Sequence, residues 1–419
     1  MKSTTILLRY GLLIAGLSAL TGCEINEEKL STWARVSGGH QRLAGYMADT
    51  QRPEVLRLHA AMVLLDAGRI AEIMYVLDKA TPRDRKRLVQ ALANNVVQYI
   101  DKEDDRMKMR AASFAYFLFQ HAKELTGNNY NEPRDKVLVE RVVGWILERL
   151  KIYDSLPKGK QRPEEILLAA AHAFPKLALP MIYGYLESPP DLRRFLIVNR
   201  VLDRLPSKDV KAKQAHLLLA YAQKTYPKVE PELAEVMSKN QNETLLRFLL
   251  DAASDHRVPA NTRAMGLQGT ALLKLKAIPG LLKILRTDEP KNENTARLNA
   301  LDLIWKLGGR QHLREALETL PATGTWWPEG TQFKDYVDEF CDDQLKPNAE
   351  AVRPILTALI DHPNWVTNVY AMECSIRLYA DAVSLLEPLV EDPQVLRGWS
   401  DDGDITVGEY VKSLSATAQ

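Results

Sequence analysis

Eight histidines are scattered singly along the 419 residues, and no two stand four apart. A zinc hydrolase helix needs that spacing to bring two imidazoles to one metal, so the eight are expected as isolated surface or core residues. Ser155-Leu156-Pro157-Lys158 spells Ser-x-x-Lys. Lysine can activate such a serine only from the next turn of a helix, and Pro157 belongs to a loop-forming run instead. There is no Gly-x-Ser-x-Gly elbow and no phosphate-binding loop. No catalytic residue, cofactor or resident metal is therefore expected, and the chain is read as a non-enzyme. Beyond Cys23 the remaining cysteines are Cys341 and Cys374. They are a candidate disulfide in an oxidising compartment or two buried thiols acting as small apolar residues, and the sequence leaves both open.

Two late segments carry further chemistry. Ser400-Asp401-Asp402-Gly403-Asp404-Ile405-Thr406-Val407-Gly408-Glu409 partly resembles an EF-hand calcium loop. Gly403 matches the turn glycine and Glu409 the closing acid, but the first ligand place falls on Gly398, which has no side chain. The simpler reading is an Asp-Gly turn leading into a final helix, with Thr406 as N-cap and Glu409 as its capping-box partner. Trp326-Trp327-Pro328-Glu329-Gly330 lies in a connecting stretch. Adjacent tryptophans there are either a candidate binding loop, since tryptophan anchors dominate interface energies, or a plug in a seam between helical segments.

The sharpest signal is N-terminal. Lys2 and Arg9 precede an uncharged run from Tyr10 to Leu20 and then Leu20-Thr21-Gly22-Cys23. That is a basic n-region, a short h-region and a small-residue cleavage site. The run falls short of the roughly 20 apolar residues of a spanning helix. Leu-Thr-Gly-Cys resembles the lipobox of bacterial lipoproteins. The resemblance implies that residues 1–22 are a removed signal peptide. Cys23 would be acylated, with palmitate among its chains, and would hold the mature N-terminus to a membrane without crossing it. Glu24 rather than aspartate follows the cysteine, which favours the outer membrane, facing the periplasm.

Loss of Lys2 and Arg9 with the signal leaves 53 basic against 54 acidic residues. Such balance argues against a nucleic-acid partner and against a polybasic membrane signal. Hydrophobic content of 46% and charged content of 26% are ordinary for a folded chain. The length exceeds what one compact core usually serves. Helical period dominates from residue 41 onward: Ile70, Ile73, Met74 and Leu77 form one stripe, and Leu88, Val89, Leu92, Val96 and Ile100 another. Asp66-Ala67-Gly68 reads as a glycine stop. Thr81-Pro82-Arg83-Asp84 reads as a cap, a first-turn proline and a first-turn acid. Further helices are predicted over about 104–125, 134–151, 164–187 with a break near Pro175, 191–205 and 208–225. No convincing alternating strand is found, so the chain is predicted to be all-α.

Residues 354–363 and 385–393 echo one another, with Pro363 and Pro393 30 residues apart. Asn368 through Leu378 lies between them as a second helix. Arg297-Leu298-Asn299-Ala300-Leu301 and, 34 residues earlier, Arg263-Ala264-Met265-Gly266-Leu267 fit the same place in such a pair. This pattern resembles HEAT repeats, well over about 260–400 and generally over 41–255. The resemblance implies an α-solenoid of stacked antiparallel helix pairs, HEAT- or armadillo-like, with a continuous core and an extended binding face. The expected organisation is a signal peptide over 1–22, a lipidated tether over 23–52, one repeat region over 53–255 and a second over 256–419. The function this implies is an envelope scaffold, adaptor or assembly factor that meets the membrane through its anchor and binds envelope proteins. The alternatives are a cell-wall glycan-binding module or enzyme on the same helices, or a lipid or small-ligand carrier.

Overall fold

The computed structural model describes residues 25–101, 104–121, 133–152, 163–287, 295–321, 333–400 and 403–417. Among the described residues the protein is all-α apart from one small hairpin, and the chain divides into two compact units, Met1–Leu205 and Pro206–Gln419.

The first unit contains α1 (Glu27–Trp33), α2 (Gly39–Ala48), α3 (Glu54–Asp66), α4 (Ile70–Lys79), α5 (Pro82–Ile100), α6 (Asp105–Gln120), α7 (Pro133–Ile152), α8 (Pro163–Ala173), α9 (Pro175–Glu187) and α10 (Leu192–Asp203). Helices pack on their chain neighbours and also on the next but one: α1 on α3, α2 on α4, α5 on α7, α6 on α8, α7 on α9 and α8 on α10. The stripes do the packing. Ile73 and Leu77 are fully buried, as are Val89, Leu92 and Val96, while Ile70 and Met74 are half-buried. Helix α3 runs buried from Ala60 to Leu65 and ends as its sequence dictates. Gly68 takes φ 72°, its N–H donates to Leu65 O, and Arg69 N–H donates to Leu64 O at 2.8 Å; these two bonds make a Schellman stop. Thr81 Oγ1 accepts from Asp84 N–H at 3.3 Å and opens α5 behind Pro82. The predicted break near Pro175 is the junction of α8 and α9 at Phe174.

Residues 23–52, expected as a tether, carry both α1 and α2. Asn26 caps α1 by accepting from Lys29 N–H at 3.0 Å, with Glu27 and Glu28 in the first turn. Leu30, Leu43 and Met47 are fully buried. The sequence hides these helices because one is only two turns long and Gly38-Gly39 separates them. Gly39 is required there, since a Cβ would stand 1.6 Å from Trp33 O.

The second unit contains α11 (Lys208–Thr225), α12 (Pro231–Lys239), α13 (Glu243–Ala253), α14 (Ala260–Gln268), α15 (Ile278–Arg286), α16 (Thr295–Gly308), α17 (Arg310–Thr319) and α18 (Phe333–Glu339). A π-helical turn, Phe340–Leu345, follows. Then come α19 (Ala349–Leu359), α20 (Trp365–Leu378), α21 (Ala382–Leu386), the strands β1 (Val395–Ser400) and β2 (Gly403–Thr406), and α22 (Val407–Thr417). Next-but-one packing recurs for α11 on α13, α12 on α14, α14 on α16, α15 on α17, α17 on α19 and α18 on α20. One core cluster runs from Leu246 to Val411. The boundary at Leu205 lies well before the 255/256 division drawn from repeat resemblance. Residue 255 falls between α13 and α14, which pack closely on each other, so the change in repeat quality there is no change in packing.

The hairpin overturns the expectation of no strand. Val395 pairs with Thr406 and Leu396 with Ile405, antiparallel, with an irregularity before Ser400 pairs Gly403. Leu396 is fully buried, and β1 packs on α18 and α20. Strands this short, crossed by an irregularity, leave no alternating pattern to read.

A buried arginine recurs in both units. Arg57 in α3 donates from Nε to Met47 O at 2.7 Å, near the end of α2. Its guanidinium also forks onto Asp84 at 2.8 and 2.6 Å. Arg297 in α16, fully buried, donates to Thr287 O at the end of α15. Each reaches ten residues back. Arg57-Leu58-His59-Ala60-Ala61 matches Arg297-Leu298-Asn299-Ala300-Leu301 in the arginine, the leucine and the first alanine, so one short pattern carries the buried arginine in both units.

Candidate functional site

Three concave features stand out among the described residues, one in the first unit and two in the second; of the latter, a recess of about 260 Å³ is lined by Gln223, Tyr226, Phe248, Asp251 and Ala252. In the first unit α2 and α4 leave a groove of about 470 Å³ between them. Ala44, Gly45 and Ala48 form one wall, on the face of α2 that also carries Gln41 at i, i+3, i+4, i+7 spacing. Ala71, Tyr75 and Val76 of α4 form the other. Tyr75 is 66% exposed, and a Cβ added at Gly45 would meet nothing within 4 Å. The groove is open, apolar and floored by small residues, with polar atoms supplied by Gln41 and Glu72.

The second unit has a smaller, more enclosed cleft of about 150 Å³, where α16, α18, the π-turn and α20 meet. Its lining mixes aromatic rings (Tyr336, Phe340, Tyr370), carboxylates (Asp302, Glu339) and amides (Asn299, Gln344). Phe340 and Tyr370 pack edge to face with centroids 5.8 Å apart. Burial raises the Asp302 carboxyl above the ordinary carboxylate range; Lys306 opposes the shift, while Glu339 and Asp343 add to it. Burial likewise pushes the Tyr370 hydroxyl up, with the charge of Asp302 adding and that of Arg297 opposing. Among the described residues, no hydrogen-bond or ion-pair partner meets the Asp302 carboxylate.

Beside this cleft lies a fully committed ionic cluster. Arg377 Nη1 stands 2.9 Å from Asp338 and 3.7 Å from the buried Glu373, and its Nη2 bonds Asp342. Tyr410 donates its hydroxyl to Glu373. The hydrogen bond from Arg377 holds the Asp342 carboxyl below its usual range, and Asp342 raises Arg377 in return. Cys341 and Cys374, neighbours in sequence of Asp342 and Glu373, are joined by a disulfide with Cα atoms 5.0 Å apart. These groups staple the π-turn to α20 and leave no donor free for a ligand.

A serine, a histidine and a carboxylate also meet in the first unit. Ser31 Oγ is 3.0 Å from His59 Nε2, and His59 Nδ1 is 3.9 Å from Glu27. Ser31, however, donates its proton to Glu27 O at 2.9 Å, one helical turn back. A serine whose proton already goes to a carbonyl has none to give the imidazole, and the hydroxyl lies on an exposed helix surface. The trio is a surface hydrogen-bond chain.

Of the residues singled out by sequence, Cys23, Trp326, Trp327, Ser155 and Lys158 lie outside the described residues. Glu409 is occupied: its Oε2 accepts from Thr406 N–H at 2.7 Å and from Thr406 Oγ1 at 2.9 Å, while Glu409 N–H donates back to Thr406 Oγ1 at 3.1 Å. That is the capping box. It takes the acid that would have closed the calcium loop. Among the described residues no group of three metal-ligating side chains comes together, and no helix is long and apolar enough to cross a membrane.

No protein-family model matches the chain, and a search of curated proteins finds no match. Sequence reasoning missed the groove and the mixed polar cleft alike. The groove is built from alanines and a glycine, which carry no chemical signature. The cleft takes its residues from Leu298 to Tyr370, and only the packing brings those together.

Proposed function

We propose that this protein is a lipid-anchored scaffold of the bacterial envelope. In this reading Cys23 carries the anchor, at the outer membrane facing the periplasm. The helix pairs stack as a solenoid, and the chain works by holding other proteins. The next-but-one helix packing in both units and the paired arginines Arg57 and Arg297 support the solenoid.

The observation that carries the binding role is the groove between α2 and α4. Its occupant is an amphipathic helix of a partner protein. Small residues at Ala44, Gly45 and Ala48 let a helix backbone approach closely, and Tyr75 supplies an exposed aromatic wall. A helix laid in such a groove is read through apolar side chains at i, i+3, i+4 and i+7. The cleft in the second unit, at about 150 Å³, is below the roughly 300–1,000 Å³ of sites that bury small-molecule ligands. The α2–α4 groove is large enough, but its lining is almost wholly apolar and offers a glycan few polar partners.

The test is a photo-crosslinking residue at position 75 in intact cells, with the adduct mapped by mass spectrometry. A discrete adduct to an amphipathic helix of an envelope protein, lost when Gly45→Leu fills the groove, is the expected result. An adduct indifferent to Gly45→Leu, or none, would sink the reading. Cys23→Ser should move the protein from the membrane fraction to the soluble periplasm; continued membrane association would remove the anchor.

A further inference from the structure

The cleft between α16, α18 and α20 has no role in the proposed groove, yet its composition is specific. It brings three aromatic rings, two carboxylates and two amides around about 150 Å³. Apolar ligands would cover the half-buried Asp302, Asn299 and Gln344 without offering them a polar partner, and covering a polar group in that way is costly. An anion would meet Asp302, Glu339 and the field of Asp343, with Lys306 as the one cation acting on Asp302. A hexose or peptide backbone is too large for so small a space. What remains is a single cationic head group.

The aromatic lining selects the same chemistry, because ring faces attract cations, most strongly where water is excluded. A guanidinium suits the cleft better than an ammonium. Its planar fork presents several N–H donors at once, and Asp302, Glu339 and the side-chain oxygens of Asn299 and Gln344 are acceptors distributed around the space. A guanidinium is also weakly hydrated, so it enters a ring-lined cavity at less cost.

We propose that this cleft is a socket for one arginine side chain of a partner protein, with Asp302 as its principal counter-charge. The assignment of a protein source rests on the scaffold reading above; the assignment of guanidinium chemistry does not. Asp302 is held in a place that burial makes unfavourable for its charge, and a bound guanidinium supplies the partner it otherwise lacks among the described residues. The groups facing it are Lys306 on its own helix, Glu339 on α18, Asp343 on the π-turn and Tyr370 on α20, with Arg297 acting on Tyr370.

The experiment is a saturation-transfer NMR titration of the full chain. Its probes are Nα-acetyl-arginine methylamide, the isosteric neutral citrulline derivative, and free agmatine. The arginine derivative should bind at least tenfold tighter than the citrulline one. Asp302→Asn should abolish that difference while leaving the melting temperature unchanged or higher, since it removes a charge that burial disfavours. Tyr336→Leu should weaken the arginine derivative severalfold. Equal binding of arginine and citrulline derivatives, or an undiminished preference in Asp302→Asn, would overturn the socket. Agmatine binding tenfold tighter than the blocked arginine would overturn the protein source. None of these outcomes depends on the groove at Tyr75, so the socket and the scaffold can fail separately.

Discussion

The two units repeat one device and then secure it differently. In each, a buried arginine from the later helix of a pair reaches back to a carbonyl at the end of the earlier one: Arg57 to Met47 and Arg297 to Thr287. In the first unit that arginine also forks onto Asp84, so α2, α3 and α5 meet at one ionic centre. The second unit adds a covalent tie, Cys341–Cys374, between the π-turn and α20. The concave features differ in the same direction. The first unit presents a broad apolar groove that needs no ion, whereas the second encloses a small charged cleft beside a cross-linked segment. A cleft that holds a carboxylate without a hydrogen-bond partner in place needs rigid walls, and an apolar groove does not.

Breaking the ionic centre should have the largest effect. Arg57→Met leaves Asp84 and Met47 O without their partner, and truncating one side of a buried pair costs about 3 kcal/mol or more. Urea unfolding should then separate into two transitions, with the first unit leaving first; a single unshifted transition would show that Arg57 contributes little. Cys341→Ser with Cys374→Ser should cost the second unit about 3 kcal/mol, read as a fall in its midpoint alone and mimicked by reductant on the unmodified chain.

Acid should move the two units in opposite senses. Hydrogen bonding to Arg57 lowers the Asp84 pKa below its ordinary 3.8. Its contribution is therefore present above the unfolded value and is lost as pH falls through the depressed one. Asp302 is raised above 3.8, so its contribution is present below the unfolded value and is lost as pH rises through the raised one. Between pH 6 and 3, Asp302→Asn should thus flatten a gain in the second unit, with an effect within about 1 kcal/mol. Arg57→Met should remove an acid-induced loss in the first unit. The Asp84 loss sets in only below its unfolded value of 3.8, so thermal melts carried from pH 6 down to about 2 check both signs. The smallest effect is at the groove: Gly45→Leu should raise stability by about 0.5 kcal/mol, because a mid-helix glycine is replaced where there is space.

How much of this was legible follows from where each signal sits along the chain. Local chemistry read well. Gly68 stops α3, Thr81-Pro82 opens α5, and Thr406 and Glu409 form their capping box, because each involves partners within a few residues. The helices over 27–48 were lost because α1 is two turns long and Gly38-Gly39 interrupts the period. The hairpin was lost because an irregularity lies between its two paired ends. The pairing of Arg57 with Asp84 spans 27 residues, and the cleft joins Asp302 to Tyr370; such juxtapositions are set by stacking register, which no local pattern encodes. The sequence did bring forward Cys341 and Cys374 as a candidate pair, but only packing sets the distance between them.

One consequence follows from where α1 begins. With Asn26 as its cap, only Glu24, Ile25 and Asn26 separate Cys23 from the first helical residue. Stretched fully, those residues span roughly 10 Å. If Cys23 is acylated, the first unit rides on a leash shorter than its own helices and cannot tumble freely over the bilayer. Under the proposed reading the anchor would set orientation as well as address. It would keep the α2–α4 groove within reach of the bilayer, where a membrane-bound partner's helix would be met by lateral diffusion rather than by search through the bulk.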